Sequence, residues 1–479
     1  MAAERILVLI YLAACIVIGV FASRKVLASR DEYWVAGRRI GTAVNAMAIM
    51  ASLASGGSII GVMGLAYSQG IPATLALFAG AVIGFPLASL LVARPLRAFG
   101  KYTITDFLAF RFPSRIVRLV VPLLIVVAFT IYIVAQLKAA GITAHALLDI
   151  PYDTALVIAT LVFVTYVSIG GMIAITWTDV VQGVLMLTVV VGTALAVAWR
   201  AGSPFELMRQ ATATAPELGQ LAGQDVTGSL GYFVIWATAI PVIPHIVMRV
   251  FTARDGRSAQ LSLNMAMLAY SVMILAAVLI IVPLGKLGFP GLVDADQVFL
   301  RVMQSEFPPA IRGIAVAAVL AAVMSTTDAL LLACSSAIAH DLLGGVLRQR
   351  ASDRALAVIR VGSAWVIGIL ALYWALSPPE LISRFYTAGI GLLSAGLFVP
   401  TVAGLWWKKA NLTGGVSSLI AGAATYAVAI TGVVEIGIAP VVVALAASAA
   451  AMLVGGLLGT AETSAMTDEI AALHLEPGS

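Results

Sequence analysis

Stretches of about 20 apolar residues, the length needed to cross a lipid core, follow one another along this chain with only short polar gaps between them. No water-soluble fold can hide such a sequence. Of its 479 residues 61% are hydrophobic and only 11% charged, against roughly 25% charged in soluble domains. The run Ile6 to Phe21 is long for a signal peptide and no small-residue cleavage site is followed by a soluble domain, so it reads as a first span. The net charge of +5 does not indicate nucleic acid, because the basic residues sit in loops where membrane topology accounts for them. Cys15 and Cys334 lie in apolar stretches, and the four histidines form no metal-binding pair at helical spacing. Neither a disulfide framework nor a zinc site is expected.

The apolar runs predict an all-α polytopic membrane protein of about thirteen helices, near 5–23, 42–67, 72–93, 119–147, 153–170, 174–199, 228–250, 260–285, 312–340, 357–376, 381–407, 413–433 and 437–459. Residues 1–460 form one transmembrane domain on this reading, and 461–479 a short cytoplasmic tail. With the amino terminus outside and the carboxyl terminus inside, the cytoplasmic segments hold Arg24, Lys25, Arg30, Arg38, Arg39, Arg94, Arg97, Lys101, Arg111, Arg115, Arg118, Arg249, Arg254, Arg257, Arg348, Arg350, Arg354, Arg360, Lys408 and Lys409. That is most of the 28 basic residues, so the positive-inside rule favours this orientation in the inner (plasma) membrane.

Two spans read as broken. The second carries Ala51-Ser-Leu-Ala-Ser-Gly-Gly-Ser58 in mid-membrane, and the seventh carries Pro241 and Pro244. Interruptions free backbone groups that lipid cannot satisfy, so they must line a cavity or be buried in protein. Small residues and prolines also simply pack and kink membrane helices, but a matched pair five helices apart is the mark of an inverted five-plus-five repeat, with solute and ions bound at the breaks.

Every acidic residue but Asp179, in span six, and Asp328, in span nine, fits a loop, a tail or a span end. A charge at the bilayer centre costs at least about 2.5–3.5 kcal/mol, so an intramembrane carboxylate points first to function; the bland alternative is a neutral Asp bonding two helices together. On span nine Ala322, Ser325 and Thr326 stand at i, i+3 and i+4 and share a face. Hydroxyls opposite carbonyls freed by a broken helix make an all-oxygen nest suited to a hard cation, although Ser and Thr in membrane helices often bond back to their own backbone.

Separated motifs add to this: VAGRR at Val35–Arg39, GKYTITDFLAFRF at Gly100–Phe112, GGMIAITWTDVVQG at Gly170–Gly183, PHIVMRVFT at Pro244–Thr252, and AAVMSTTD followed by SSAIAHDL at Ser335–Leu342. In these the chain resembles the sodium:solute symporters. The resemblance implies the leucine-transporter fold, with repeats over 41–200 and 228–409, and a coupling Na+ held by the carbonyls of Ala51, Ala54 and Ala322 and the hydroxyls of Ser325 and Thr326. It also implies a second cation site at Asp179. Leu53 stands where proline and sugar carriers of the family have an acid or amide, and Asp328 where a hydroxyl is expected, so Asp179 and Asp328 would pair to hold a second sodium or a proton.

For the solute, Ser55, Gly56, Gly57 and Ser58 open the second half of the broken helix, where glycines admit backbone amides to an anionic guest. Tyr132 and Gln136 lie four apart on span four, and Trp236 could wall the pocket or merely pack. His245 reads as a structural hydrogen bonder beside Pro244. The expectation is sodium-coupled uptake of a small carboxylate, a short-chain monocarboxylate by the YIVAQ and PHIVMRVFT runs, with a proline-like amino acid or pantothenate as the alternative that AAVMST favours. A channel would show a selectivity loop or rings of repeated subunits, and an intramembrane enzyme a nucleophile with its base; neither pattern is visible, and beyond lipid and solute the sequence carries no reading of oligomeric state.

Overall fold

The computed structural model describes residues 2–23, 30–220, 225–346, 353–377, 381–432 and 437–475. Arg24, Lys25, Arg348 and Arg350 of the basic set lie outside them. Among the described residues every named element is helical, with one isolated bridge between Ile40 and Ala253. Ten helices among the described residues are long and apolar enough to cross a membrane, or eleven when Thr42–Leu53 and Gly57–Gln69, bent by 62° at their junction, are taken as one span. Among the described residues Ala2–Ser23 is not one of those spans and Tyr152–Thr165 is a shorter apolar helix, so the expected thirteen are not all counted there. The expected boundary between spans five and six does appear, at Gly171, whose φ of 59° interrupts the run Tyr152–Ala201.

Burial separates the helices into an inner set and an outer set. The most apolar stretch of Pro309–Gly344 is 89% buried and that of Val226–Thr252 72%, whereas that of Pro440–Leu458 is only 28% buried. A membrane helix buried all round has protein on every side. The inner set thus carries the two expected interruptions and the STTD motif together.

Each break satisfies its own backbone. After Ala54, whose ψ of 73° ends the helix, the Ser58 hydroxyl donates to the Leu53 carbonyl at 3.1 Å and the Ser55 hydroxyl accepts the Ser58 amide at 3.1 Å. Short hydroxyl side chains supply the bonds that the interrupted ladder has lost. In span seven the helix ends at Ala239 and resumes at Pro244, with Ile243 extended at φ −61° and ψ 122°. Proline needs no amide partner at a first helical turn.

The tail folds back onto the helices. Glu462 lies 3.5 Å from Arg111, which also donates to the carbonyls of Gly404 (2.9 Å) and Ala410. Arg111 is thus a buried structural cation.

Candidate functional site

The face predicted on span nine meets the first half of the bent helix. The Ser325 hydroxyl lies 2.9 Å from the Ala51 carbonyl and 3.2 Å from that of Ala322. Thr326 reaches the carbonyl of Ser52 at 3.1 Å. Ser325, Thr326, Ala51, Ala54 and Ala322 are all buried, and Ala54 is the residue at which the helix stops. The structure therefore brings Ala51, Ala322 and Ser325 into direct contact and places Thr326 against the next carbonyl along. Every polar atom here is an oxygen, the donor set that a hard cation prefers. Thr327, in the same motif, spends its hydroxyl on Val323 of its own helix at 2.6 Å.

Asp179 and Asp328 are both fully buried, but a third charge stands with them. The guanidinium of Arg249 forms an ion pair with Asp179 and donates to Thr176 at 2.6 Å, while the Ser52 hydroxyl lies 3.1 Å from Asp179. Arg249, expected in a cytoplasmic segment, is 1% exposed: Pro244–Thr252 carries it into the protein core. Among the described residues neither carboxylate oxygen of Asp328 has a hydrogen-bond partner, and the charged groups acting on it are Asp179 and Arg249. Two carboxylates therefore stand near one cation, which pairs with Asp179.

On the other side of the bend the expected solute residues gather around an aromatic ring that the sequence did not single out. Tyr386 stacks on Tyr132 at 5.3 Å and meets Trp236 edge to face at 5.8 Å. The Gly56 amide is already taken by the Gln136 side-chain oxygen at 3.0 Å, and the Ser58 hydroxyl sits 3.4 Å from that of Tyr270. Gly56 and Gly57 thus serve first for close packing: a Cβ on Gly57 would lie 2.5 Å from Tyr386, and one on Gly56 2.7 Å from Ala139. Among the described residues Gln136 Nε2, Trp236 Nε1 and the hydroxyls of Ser383 and Thr387 are buried without hydrogen-bond partners. Such groups are rare in folded proteins and each calls for an occupant. Among the described residues His245 has no hydrogen-bond partner at either ring nitrogen and packs against Phe129, so it is not the hydrogen bonder that was expected.

Two more buried charges are hard to find from the sequence. Lys138, inside the apolar Arg115–Leu148 helix, pairs with Asp296 at 2.9 Å, and Asp296 also accepts the Ile382 amide at 3.0 Å. Asp296 Oδ1 would sit 2.3 Å from a Cβ on Gly64, so this pair clasps the second half of the bent helix. A lysine in an otherwise apolar run is the one signal the sequence offers for it.

The profile of the sodium:solute symporter family matches residues 33–422, which include both breaks, the STTD motif and Asp179. This chain belongs to that family. The symporter is 30% identical over 438 residues to the osmoregulated proline transporter OpuE of Bacillus subtilis (88% of this chain, 87% of that one). It is 30% identical over 465 residues to the sodium/pantothenate symporter of Escherichia coli (94% and 95%). A solved Na+-coupled sialic acid symporter, 17% identical, superposes with a TM-score of 0.79 over 96% of this chain and 98% of that one. The fold is thus the leucine-transporter type, and sodium is the ion to which this symporter couples transport.

The glycine contact gives a direct test of the aromatic cluster. Gly57→Ala should raise the solute concentration for half-maximal uptake about 10-fold, because overpacking costs typically 1–3 kcal/mol and the atom displaced is the Tyr386 ring. Uptake in membrane vesicles, normalised to the amount of protein inserted, reads this out, and wild-type affinity in the variant would show that Tyr386 has no part in holding the solute.

Proposed function

We propose that the symporter imports a small carboxylate-bearing solute by alternating access, with Na+ held by Ala51, Ala54, Ala322, Ser325 and Thr326 and the solute held beside the bend by the polar groups around Tyr386. The observation that carries the proposal is the contact of the Ser325 hydroxyl with two carbonyls at the point where the bent helix stops. The repeats are taken as 41–200 and 228–409 from the matched breaks, and the amino terminus as outside from the basic loops.

The unspent polar atoms around Tyr386 support an acceptor-rich guest. Gln136 Nε2 and Trp236 Nε1 can only donate, and the hydroxyls of Ser383 and Thr387 can do so. A carboxylate accepts several such bonds at once, and the aromatic faces suit an apolar body. Among carboxylates, the named relatives favour the proline-like or pantothenate reading over the short-chain monocarboxylate expected from the YIVAQ run. Leu53 at the bend offers no acid to an ammonium group, which supports a guest whose only charge is its carboxylate, as in pantothenate.

Uptake of labelled pantothenate, proline and short monocarboxylates into proteoliposomes, under separately imposed sodium and proton gradients, tests this. Pantothenate should be driven by sodium and blocked by excess free acid but not by its methyl ester. Equal competition by ester and acid would overturn the carboxylate reading, and sodium-driven proline uptake alone would favour an amino acid.

The second cation or proton site at Asp179 and Asp328 takes a particular form with Arg249 present. With both carboxylates ionised the group would carry a net negative charge in the protein core, so Asp328 is the position that holds a proton or a sodium ion. Asp328→Asn should lower the number of cations moved per solute. Reversal potentials at several pH values decide it: identical stoichiometry in both proteins would leave Asp328 a structural residue.

A further inference from the structure

The motifs GKYTITDFLAFRF and SSAIAHDL do not reach the sodium or solute groups, yet the fold brings them together. Asp106, on the short helix Ile104–Arg111, lies 3.1 Å from His340 Nε2, and Asp341 lies 3.9 Å from the same nitrogen. One ligand atom from each of Asp106, His340 and Asp341 falls within 4.8 Å of the others. We propose that these three residues bind a divalent transition cation of the zinc class, which clamps the Ile104–Arg111 helix to the end of the helix that carries Ser325 and Thr326.

Three observations carry this assignment. The first is spacing: zinc bonds of about 2.0–2.2 Å in a tetrahedral site put neighbouring ligands about 3.3–3.5 Å apart, which the 3.1 and 3.9 Å separations bracket. The second is the Asp341 carboxyl, whose side chain is only 2% exposed. The oxygen nearest His340 accepts from the Thr103 hydroxyl at 3.0 Å, and the Thr105 hydroxyl is a further partner of the carboxyl. A buried carboxylate beside a second carboxylate, with one imidazole against both, is an arrangement that a cation relieves.

The third is the set of bonds behind the ligands. Asp106 Oδ2 accepts the amides of Tyr102 at 3.2 Å and Thr103 at 3.3 Å, and the Tyr102 ring stands edge-on to His340 at 5.4 Å. Bonds of this kind orient metal ligands and hold them in place. Imidazole with two carboxylates suits zinc or a neighbouring first-row ion better than a hard alkali cation. Three protein ligands leave further coordination positions to water.

The test uses the purified full-length protein in nanodiscs. Equilibrium binding of Zn2+ should show a site lost, or weakened about 10-fold or more, in His340→Gln and in Asp341→Asn, and Zn2+ should raise the melting temperature of the wild-type protein but not of the variants. His340→Gln retains a hydrogen-bonding side chain toward Asp106, so it should still fold and take up solute in chelator. In inside-out vesicles Zn2+ should slow uptake by the wild type and leave His340→Gln unaffected. Equal Zn2+ binding by wild type and both variants, or none by any, would overturn the site, and Zn2+-insensitive uptake by a wild type that binds the ion would overturn the clamp.

Discussion

Replacing Ser325 and Thr326 together by alanine should raise the sodium concentration needed for half-maximal uptake by on the order of 100-fold, with the protein still inserted. Each hydroxyl would contact the ion directly, and polar contacts to a charge contribute roughly 1.5–3 kcal/mol apiece. Even if neighbouring losses combine less than additively, two of them exceed about 2.7 kcal/mol, which is 100-fold. Thr327→Ala is the matched control. Its hydroxyl is bonded within its own helix at 2.6 Å, so sodium dependence should not move. Initial uptake rates across a sodium series measure both variants. Unchanged sodium dependence in the double variant would remove these hydroxyls from the ion site, and a Thr327→Ala effect as large would show that the motif acts through helix packing.

Arg249→Gln should be the most damaging single change in the core. It leaves Asp179, 0% exposed, without its ion-pair partner and removes the fixed cation acting on Asp328. Removing one member of a buried pair costs typically 3–5 kcal/mol, because the abandoned charge cannot be hydrated. The expected result is a protein that accumulates poorly or melts well below the wild type in detergent. Adding Asp179→Asn to the same chain removes the abandoned charge and should recover most of the stability. Transport need not return with it, since the polar link through Ser52 to the bent helix is altered. Thermal melting of the single and double variants by fluorescence-detected size exclusion decides the point, and an Arg249→Gln protein as stable as the wild type would show the pair to be dispensable.

Much of the candidate site is legible in the order of residues alone, and the legible parts share a cause. The break at Ala51–Ser58 and the face of Ala322, Ser325 and Thr326 are local patterns, fixed by helical spacing and by the rule that lipid cannot satisfy a freed backbone group. The roles of individual glycines are not legible in the same way. Gly56 and Gly57 invite an anion-binding reading, yet their Cβ positions are filled by Ala139 and Tyr386, far along the chain from either glycine.

The sequence by itself determined that the chain lives in a membrane, roughly where it crosses, where two crossings break and which hydroxyls face one way, because hydropathy and helical phase are properties of neighbouring residues. Tertiary structure alone decided the partners: Arg249 with Asp179, 70 residues apart, Lys138 with Asp296, 158 apart, and His340 with Asp106, 234 apart. A buried charge must find its counter-charge wherever packing supplies one, and that choice depends on how helices far apart in the chain lie against each other. For this reason a cation read as a cytoplasmic topology marker proved to stand in the protein core.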